Sequence, residues 1–542
     1  MTTVLPPLPL GEGWGEGGLR VAEPSAKYNV ECEVPLVRGF YLLADAPGGV
    51  ARLRALIVSL ALSGHLTSLR ARSSPASGDV WPVLSLSDLG PSFQNGASSR
   101  GDVGGVPTTV IRLADITAGE IGPTDPRVLP IRASDSAKYM LKQGDILVIR
   151  VNGSADLVGR FIVCRSDMAA IHCDHFIRMR FDATVVVPEY MRLVGDSASV
   201  RASVASLFVS TAGQKTVNQG HVGSIKMILP PLAEQHRIVA RVEELMKLCD
   251  ALEQSGRLAD EQHARLTSTL FDALAASESA HALAENWQRI AAHLDLLLDR
   301  PEAIDALEQT ILQLAVRGLL VPQVASDRPT RIATLKPEVA EAPYEVPLGW
   351  AWRTVESIAT VGSGTTPSRT NAKYFDPPEV PWVTSGETGQ PFIAVTAQAV
   401  SGLALRETTL KVYPIGALIV AMYGQGKTRG QIAELLLPAT TNQACAAIVP
   451  TDPTVHHRRY IKLFFEKSYD ELRSESVGGA QPNLNVGKIK STLIPLPPLA
   501  EQHRIVARVE ELRRLCAQLR ERLTEARRTQ SQLADALVAK VD

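Results

Sequence analysis

The sequence predicts an α+β protein. Two mixed α/β domains are held apart by long paired helices, in a cyclic arrangement with pseudo-two-fold order. Three observations carry this. The sixteen-residue block PPLAEQHRIVARVEEL stands at 230–245 and again, unchanged, at 497–512. A looser repeat precedes each half, with LRALIVSLALSGHL at 53–66 and LEQTILQLAVRGLL at 307–320. Between these shared edges lie two centres that differ in sequence and read as short strands and polar turns.

Taken in order, residues 1–38 contain LPPLPLGEGWGEGG, a low-complexity stretch with no pattern for a packed fold,. Residues 39–72 carry the first copy of the looser repeat, an N-terminal helical segment with apolar residues at Val50, Leu53, Ile57 and Leu60. The first variable domain is expected over 79–231. Its β-rich runs, Asp145–Arg150 and Gly159–Val163, are separated by Gly, Asn and Ser turns,.

Residues 232–325 form the central helical region. Apolar positions recur in steps of three and four at Ile238, Val242, Leu245, Cys249 and Leu252, a seam for a partner helix,. This seam weakens at Gly256 and resumes at Leu266 and Leu270; a second seam follows at Ile304, Leu307, Ile311 and Leu314. A linker at 326–344 leads to the second variable domain, 345–497, whose run Ala417–Met422 is strand-like. The C-terminal helix, 498–542, repeats the first seam at Ile505, Val509, Leu512, Cys516 and Leu519. Pro230-Pro231 and Pro497-Pro498 suit helix starts, where proline's missing donor goes unneeded. Joining the two chain ends would recreate the middle of the sequence, which is the basis for the cyclic order.

Composition narrows the function. Apolar residues make up 45% and charged residues 21%, as in a globular chain,. No apolar run of 18 residues exists, so no membrane span is expected,. The N-terminus lacks the basic-then-apolar pattern of a secretory signal. The six cysteines show no CxxC or framework spacing, which fits reduced thiols in the cytoplasm,. The net charge of −1 gives no hint of nucleic acid.

The polar loops point the other way. In the first centre they carry Gln94 and Asn95, then Arg150, Asn152 and Ser154, with Arg160 close behind. In the second they carry Thr365, Thr366, Ser368 and Arg369; Thr384 and Ser385; Tyr423, Gln425, Lys427, Thr428 and Arg429; and Asn442 and Gln443. Such side chains on glycine-rich loops donate to phosphates and read base edges. Singly, each could equally cap a turn; as a set in both centres they favour DNA binding.

Other signals fail on inspection. Gly426-Lys427-Thr428 resembles the end of a phosphate-binding loop, but Ala421 stands where the first glycine belongs,. Asp376-Pro377-Pro378 is followed by Glu379 rather than the aromatic residue a base-flipping methyltransferase needs,. No acid stands two residues before any lysine, which excludes a nuclease of the PD-(D/E)xK type. His172-Cys173-Asp174-His175 has metal-ligating residues, but neighbours on a strand point to opposite faces and no second pair lies at zinc spacing. No metal site and no catalytic residue are therefore expected. His456-His457-Arg458-Arg459 reads as a solvated helix start.

Over about residues 40–542 the chain resembles the DNA-specificity (S) subunits, the HsdS family, of type I restriction-modification systems. The two PPLAEQHRIVARVEEL blocks carry most of the resemblance. Gln481-Pro-Asn-Leu-Asn485, Gly364-Thr-Thr-Pro-Ser368, Pro381-Trp382-Val383 and Thr441-Asn442-Gln443 add to it. So do Gly144-Asp-Ile-Leu147, Val158-Gly-Arg160 and the lead-in from Ile311 to Gly318 with Trp350 and Trp352.

The resemblance implies a non-catalytic subunit in which each centre is a target-recognition domain reading one half of an asymmetric, bipartite DNA site. The helices would pack as an antiparallel, coiled-coil-like spacer that docks two methyltransferase subunits. Two restriction/translocase subunits would complete a cytoplasmic, nucleoid-associated complex that methylates adenine and restricts DNA. S-adenosylmethionine, ATP and Mg would belong to those partners, and this chain would bind no cofactor. Residues 1–38 match nothing in the family, and are expected to be a flexible leader or upstream sequence read from a misplaced start codon. The competing readings are a methyltransferase or nuclease fused to its own specificity half, and a coiled-coil scaffold with no DNA role.

Overall fold

The computed structural model describes residues 42–67, 81–98, 104–117, 119–122, 127–211, 213–327, 342–424, 428–474 and 484–539. The leader 1–38, most of the linker 326–344, and Gln425, Lys427 and Gln481 lie outside them. The described residues divide into two compact units, one of 42–259 with 526–539 and one within 260–525. Among the described residues, no helix is long and apolar enough to cross a membrane.

In the first unit, an antiparallel sheet runs Ser92–Asn95, Phe176–Arg180, Ile146–Ile149, Phe161–Val163. Ile146–Ile149 is buried at all four positions, as a strand covered on both faces must be,. Alternate residues serve opposite faces. Ile146, Val148, Phe161 and Met179 pack with Tyr190, Met191 and Val194 of helix Pro188–Asp196. Leu147, Ile149, Ile162 and Phe176 pack under a second sheet, in which Val106–Ile111 pairs parallel to Ala170–His172 and antiparallel to Arg127–Ile131.

The second unit repeats this topology with unrelated residues. Its main sheet runs Ala359–Ser363, Cys445–Pro450, Leu418–Ala421, Ile432–Leu435, with Phe392–Ile393 added at the edge. Its small sheet has Val380–Val383 parallel to Thr440–Thr441 and antiparallel to Gln398–Val400. Each unit also closes a two-stranded ladder that joins the start and end of its centre, Val83–Ser85 with Lys226–Ile228 and Ala351–Thr354 with Leu493–Leu496.

Four helices form the shared edges: α1 (Gly49–Leu62), α2 (Leu232–Ala275), α3 (Pro301–Val316) and α4 (Leu499–Ala539). With 44 and 41 residues, α2 and α4 are about 66 and 62 Å long at 1.5 Å per residue. Both begin directly after the Pro-Pro pair, and the carbonyls of Pro231 and Pro498 accept their first hydrogen bonds. Helix α2 continues through Gly256, where the apolar pattern suggests a weak point. Helices 280–291 and 301–316 add a small bundle in which Leu314 packs with Phe271, Leu283 and Ile290.

The seams are met within each half. Ile238 and Val242 are buried in one cluster with Ala61 of α1, and Cys249 with Leu53. Ile505, Val509 and Cys516 are buried with Ile304, Ile311 and Leu312 of α3. Leu245, Leu512 and Leu519 are half-buried. Leu252 departs from the expected seam and is 36% exposed. Helix α1 starts only at Gly49, and its first apolar residues, Val50 and Leu53, pack with Cys249. Helix α3 starts two residues earlier on the repeat, and Leu298 ahead of it joins the cluster that takes Leu519.

The identical blocks do identical work. Gln235 and Gln502, both fully buried, each donate from Nε2 to the preceding proline carbonyl, at 2.9 Å to Pro230 and 2.8 Å to Pro497. Their Oε1 atoms then tie the helix start to the centre, through Val187 N at 2.8 Å and His457 Nδ1 at 3.0 Å. Tyr190 and Tyr460 donate to the repeat-related carbonyls of Ile228 and Pro495.

The stretch 456–459 is therefore no solvated helix start. His457 is buried against Gln502, and Arg458 and Arg459 flank the buried Glu434 at 2.6 and 3.7 Å.

Candidate functional site

In the second unit the polar loops converge at one end of the sheets. Gly364 N donates to Cys445 O (3.2 Å), Thr365 N to Thr441 O (2.9 Å), Asn442 N to Val383 O (2.9 Å) and Met422 N to Ala444 O (2.8 Å). Trp382, buried below them, donates from Nε1 to Thr365 O at 3.2 Å. Four loops far apart in sequence are thus held as one surface, carrying Thr365, Thr366, Thr384, Ser385, Tyr423, Asn442 and Gln443. Gly364 allows the closest approach, since a Cβ there would sit 2.0 Å from the Thr441 carbonyl oxygen,.

Some of these side chains also serve the fold. Thr384 caps a 3-10 turn with Glu387, whose carboxylate accepts from Thr384 N at 2.6 Å. Asn442 Oδ1 accepts from Ala444 N, and Ser368 pairs with Thr370 at 2.8 Å. Gln443, Tyr423, Ser368 and Arg369 are exposed; Thr428 and Arg429 are half-buried, and Gln425 and Lys427 lie outside the described residues.

In the first unit, Gln94, Asn95 and Arg150 gather around the turn 172–175. Gly96 N donates to Phe176 O (3.3 Å), Ala97 N to His172 O (2.9 Å) and Arg150 N to His175 O (2.7 Å). Arg150 Nη1 reaches Asp174 O at 3.3 Å. Asn152 accepts from Ser154 N, a turn-capping role,. Arg160 stands apart from this group: its guanidinium is taken by Asp156 O (2.8 Å) and Asp196 (3.3 Å).

The structure adds polar residues that sequence reading passed over. Lys215 pairs across the ladder from Asn152 and donates to Gly153 O at 3.2 Å. Gln219 donates to Asn95 Oδ1 at 3.1 Å. Position 219 lies beside Asn218, which recurs as Asn485, but both asparagines turn out to be helix N-caps,.

The His172–His175 stretch corrects one argument. Strand alternation holds only to His172, which is buried with Nδ1 3.0 Å from the Tyr139 carbonyl oxygen and Nε2 3.3 Å from that of Gln94, so that a neutral ring donates to one of the two,. Residues 173–175 turn, so candidate ligand atoms of Cys173, Asp174 and His175 fall within 4.8 Å of one another. Burial pushes the Cys173 thiol up to about 11, and Arg112 and Arg127 line the same recess. Both features oppose a cation there.

Residues 347–526 match the family described as type I restriction modification DNA specificity domain. The chain is 31% identical over 368 residues to the Type I restriction enzyme EcoEI specificity subunit of Escherichia coli, covering 61% of each chain. It is 31% identical over 396 residues to the EcoAI specificity subunit of the same species (65% of this chain, 64% of that one). It is 32% identical over 278 residues to the StySPI specificity subunit of Salmonella potsdam (51% and 58%). The matches thus span about three fifths of these relatives' lengths.

A solved structure described as the structural basis underlying complex assembly and conformational transition of the type I R-M system shares the fold. Its TM-score is 0.51 at 17% identity, covering 85% of this chain and 97% of that one. The chain is thus similar to the specificity subunits of type I restriction enzymes, and its residues 347–526 match the model of their DNA specificity domain.

Proposed function

We propose that the chain is the DNA sequence-specificity subunit of a type I restriction-modification complex. The observation that carries this is the convergence of polar loops on the same end of two topologically matched but chemically different centres. Each centre reads one short half-site, so the target is asymmetric and bipartite. The helices fix the separation; at 34 Å per DNA turn, helices of about 60 Å suit two readers on successive grooves. The chain itself is non-catalytic. Two methyltransferase subunits using S-adenosylmethionine dock on the helical edges, and two ATP- and Mg-dependent restriction subunits complete the complex in the cytoplasm.

Methylation mapping of the host genome, with and without the gene, tests this. The expected result is loss of adenine methylation at one asymmetric bipartite motif. An unchanged map would favour the scaffold with no DNA role, and methylation by the purified chain alone would favour the fused-enzyme alternative.

A further inference from the structure

The two centres can be aligned residue by residue through their backbone hydrogen bonds. Gly96 N→Phe176 O corresponds to Gly364 N→Cys445 O, and Ala97 N→His172 O to Thr365 N→Thr441 O. Cys173 N→Ile111 O corresponds to Asn442 N→Val383 O, and Arg150 N→His175 O to Met422 N→Ala444 O. Arg112 N→Asp115 Oδ2 (2.7 Å) repeats Thr384 N→Glu387 Oε2 (2.6 Å), each backbone N–H donating to the carboxylate three residues on. Even the close approach recurs, since a Cβ on Gly96 would lie 1.9 Å from the Cys173 carbonyl oxygen. This register sets Arg112 against Thr384 and Asp174 against Gln443.

Thr384 and Gln443 are reading candidates in the second centre; their counterparts in the first are Arg112, which sequence alone did not single out, and Asp174, which it named only within the metal-like cluster His172–His175. Both are half-buried rather than sealed in the core. Both also line one recess, with His175 beside them and Val110 and Leu129 as its apolar floor. In the second centre the position of Val110 is taken by the buried Trp382. Arg112, whose Nε is held by Asp115 Oδ2 at 3.4 Å, and Asp174 thus bring a guanidinium and a carboxylate to one recess, and the two groups carry opposite halves of one readout. Arginine donates to the O6 and N7 acceptors of guanine, and aspartate accepts from the N4 donor of cytosine.

We propose that Arg112 and Asp174 read a G·C base pair in the half-site of the first domain, at the position where the second domain presents Thr384 and Gln443. This rests on the specificity-subunit reading above.

Binding-site selection with the complex of full chain and methyltransferase subunits tests it, using wild type, Arg112→Ala, Asp174→Asn and, as the second-domain arm, Gln443→Ala. The expected result is a G·C pair in one wild-type half-site. Arg112→Ala and Asp174→Asn each relax discrimination at that position by about tenfold or more. Gln443→Ala changes only the other half-site. Asp174→Ser provides a second variant should the asparagine form misfold.

Uniformly weaker binding with no change in base preference would overturn the proposal while leaving the subunit reading intact. So would a change confined to the half-site that Gln443→Ala alters. A wild-type complex with no sequence preference would sink both.

Discussion

Single buried contacts decide how each centre holds its loops. His172 sits between the carbonyls of Tyr139 and Gln94, and burial holds its imidazole down at about 4. In an unfolded chain it titrates near 6.5, so on acidification the unfolded state takes up the proton first. Stability present above pH 6.5 is then lost between 6.5 and about 4, by about 3 kcal/mol at most. His172→Asn is expected to flatten this slope, and urea midpoints of both proteins at pH 7 and 5 measure it; parallel slopes would refute the assignment. Gly96 and Gly364 make a second test at this scale. A methyl group on either meets a carbonyl oxygen at 1.9 or 2.0 Å, so Gly→Ala should cost about 2 kcal/mol or more. An unchanged urea midpoint would show that the loops do not pack as described.

At the scale of elements, the two halves use one helix-pairing scheme with exchanged charges. In the first, Arg54 of α1 reaches Asp250 (2.6 Å) and Glu253 (2.7 Å) of α2. In the second, Arg520 of α4 reaches Asp305 (2.6 Å) and Glu308 (2.9 Å) of α3. On the repeats, Glu308 stands where Arg54 does, and Arg520 where Glu253 does. Arg520→Glu places three acids together and is expected to lower stability by about 1–2 kcal/mol, with Arg520→Glu/Glu308→Arg recovering part of it. Thermal melts of the single and double variants measure this; equal melts would show the pairs to be inert.

Helix α2 offers a converse change. Gly256 has open space around it, so Gly256→Ala should stabilise by up to about 1 kcal/mol.

The helices were the most legible part of the chain, because an exact repeat and a seam with steps of three and four leave little choice. The buried strands Ile146–Ile149 and Leu418–Ala421 were legible for a similar reason, as apolar runs between turns. The shared topology of the two centres was not. It rests on long-range backbone bonds that leave no trace in side-chain pattern, so Arg112 carried no signal and Asp174 only that of a metal-like cluster. Leu252 misled because a seam shows where a partner could pack but not where the partner helix begins. His457 misled because a histidine in a polar cluster gives no sign that Gln502 waits for it inside.

At the scale of the whole molecule, near-neutral charge becomes informative. The first centre, 79–231, carries 15 basic and 14 acidic side chains, and the second, 345–498, carries 14 and 12. Neither supplies much of the electrostatic attraction that dominates DNA affinity. The isolated chain is expected to bind DNA weakly, and its complex with methyltransferase subunits tightly and with a steep salt dependence. Equal affinity and equal salt slope would contradict that division of labour. On the proposed reading, two centres with one topology and unlike polar surfaces predict two unlike half-sites. Binding-site selection with the assembled wild-type complex tests this most directly. It should return two different short sequences at one fixed separation, whereas a palindrome, a single half-site or a variable separation would contradict it.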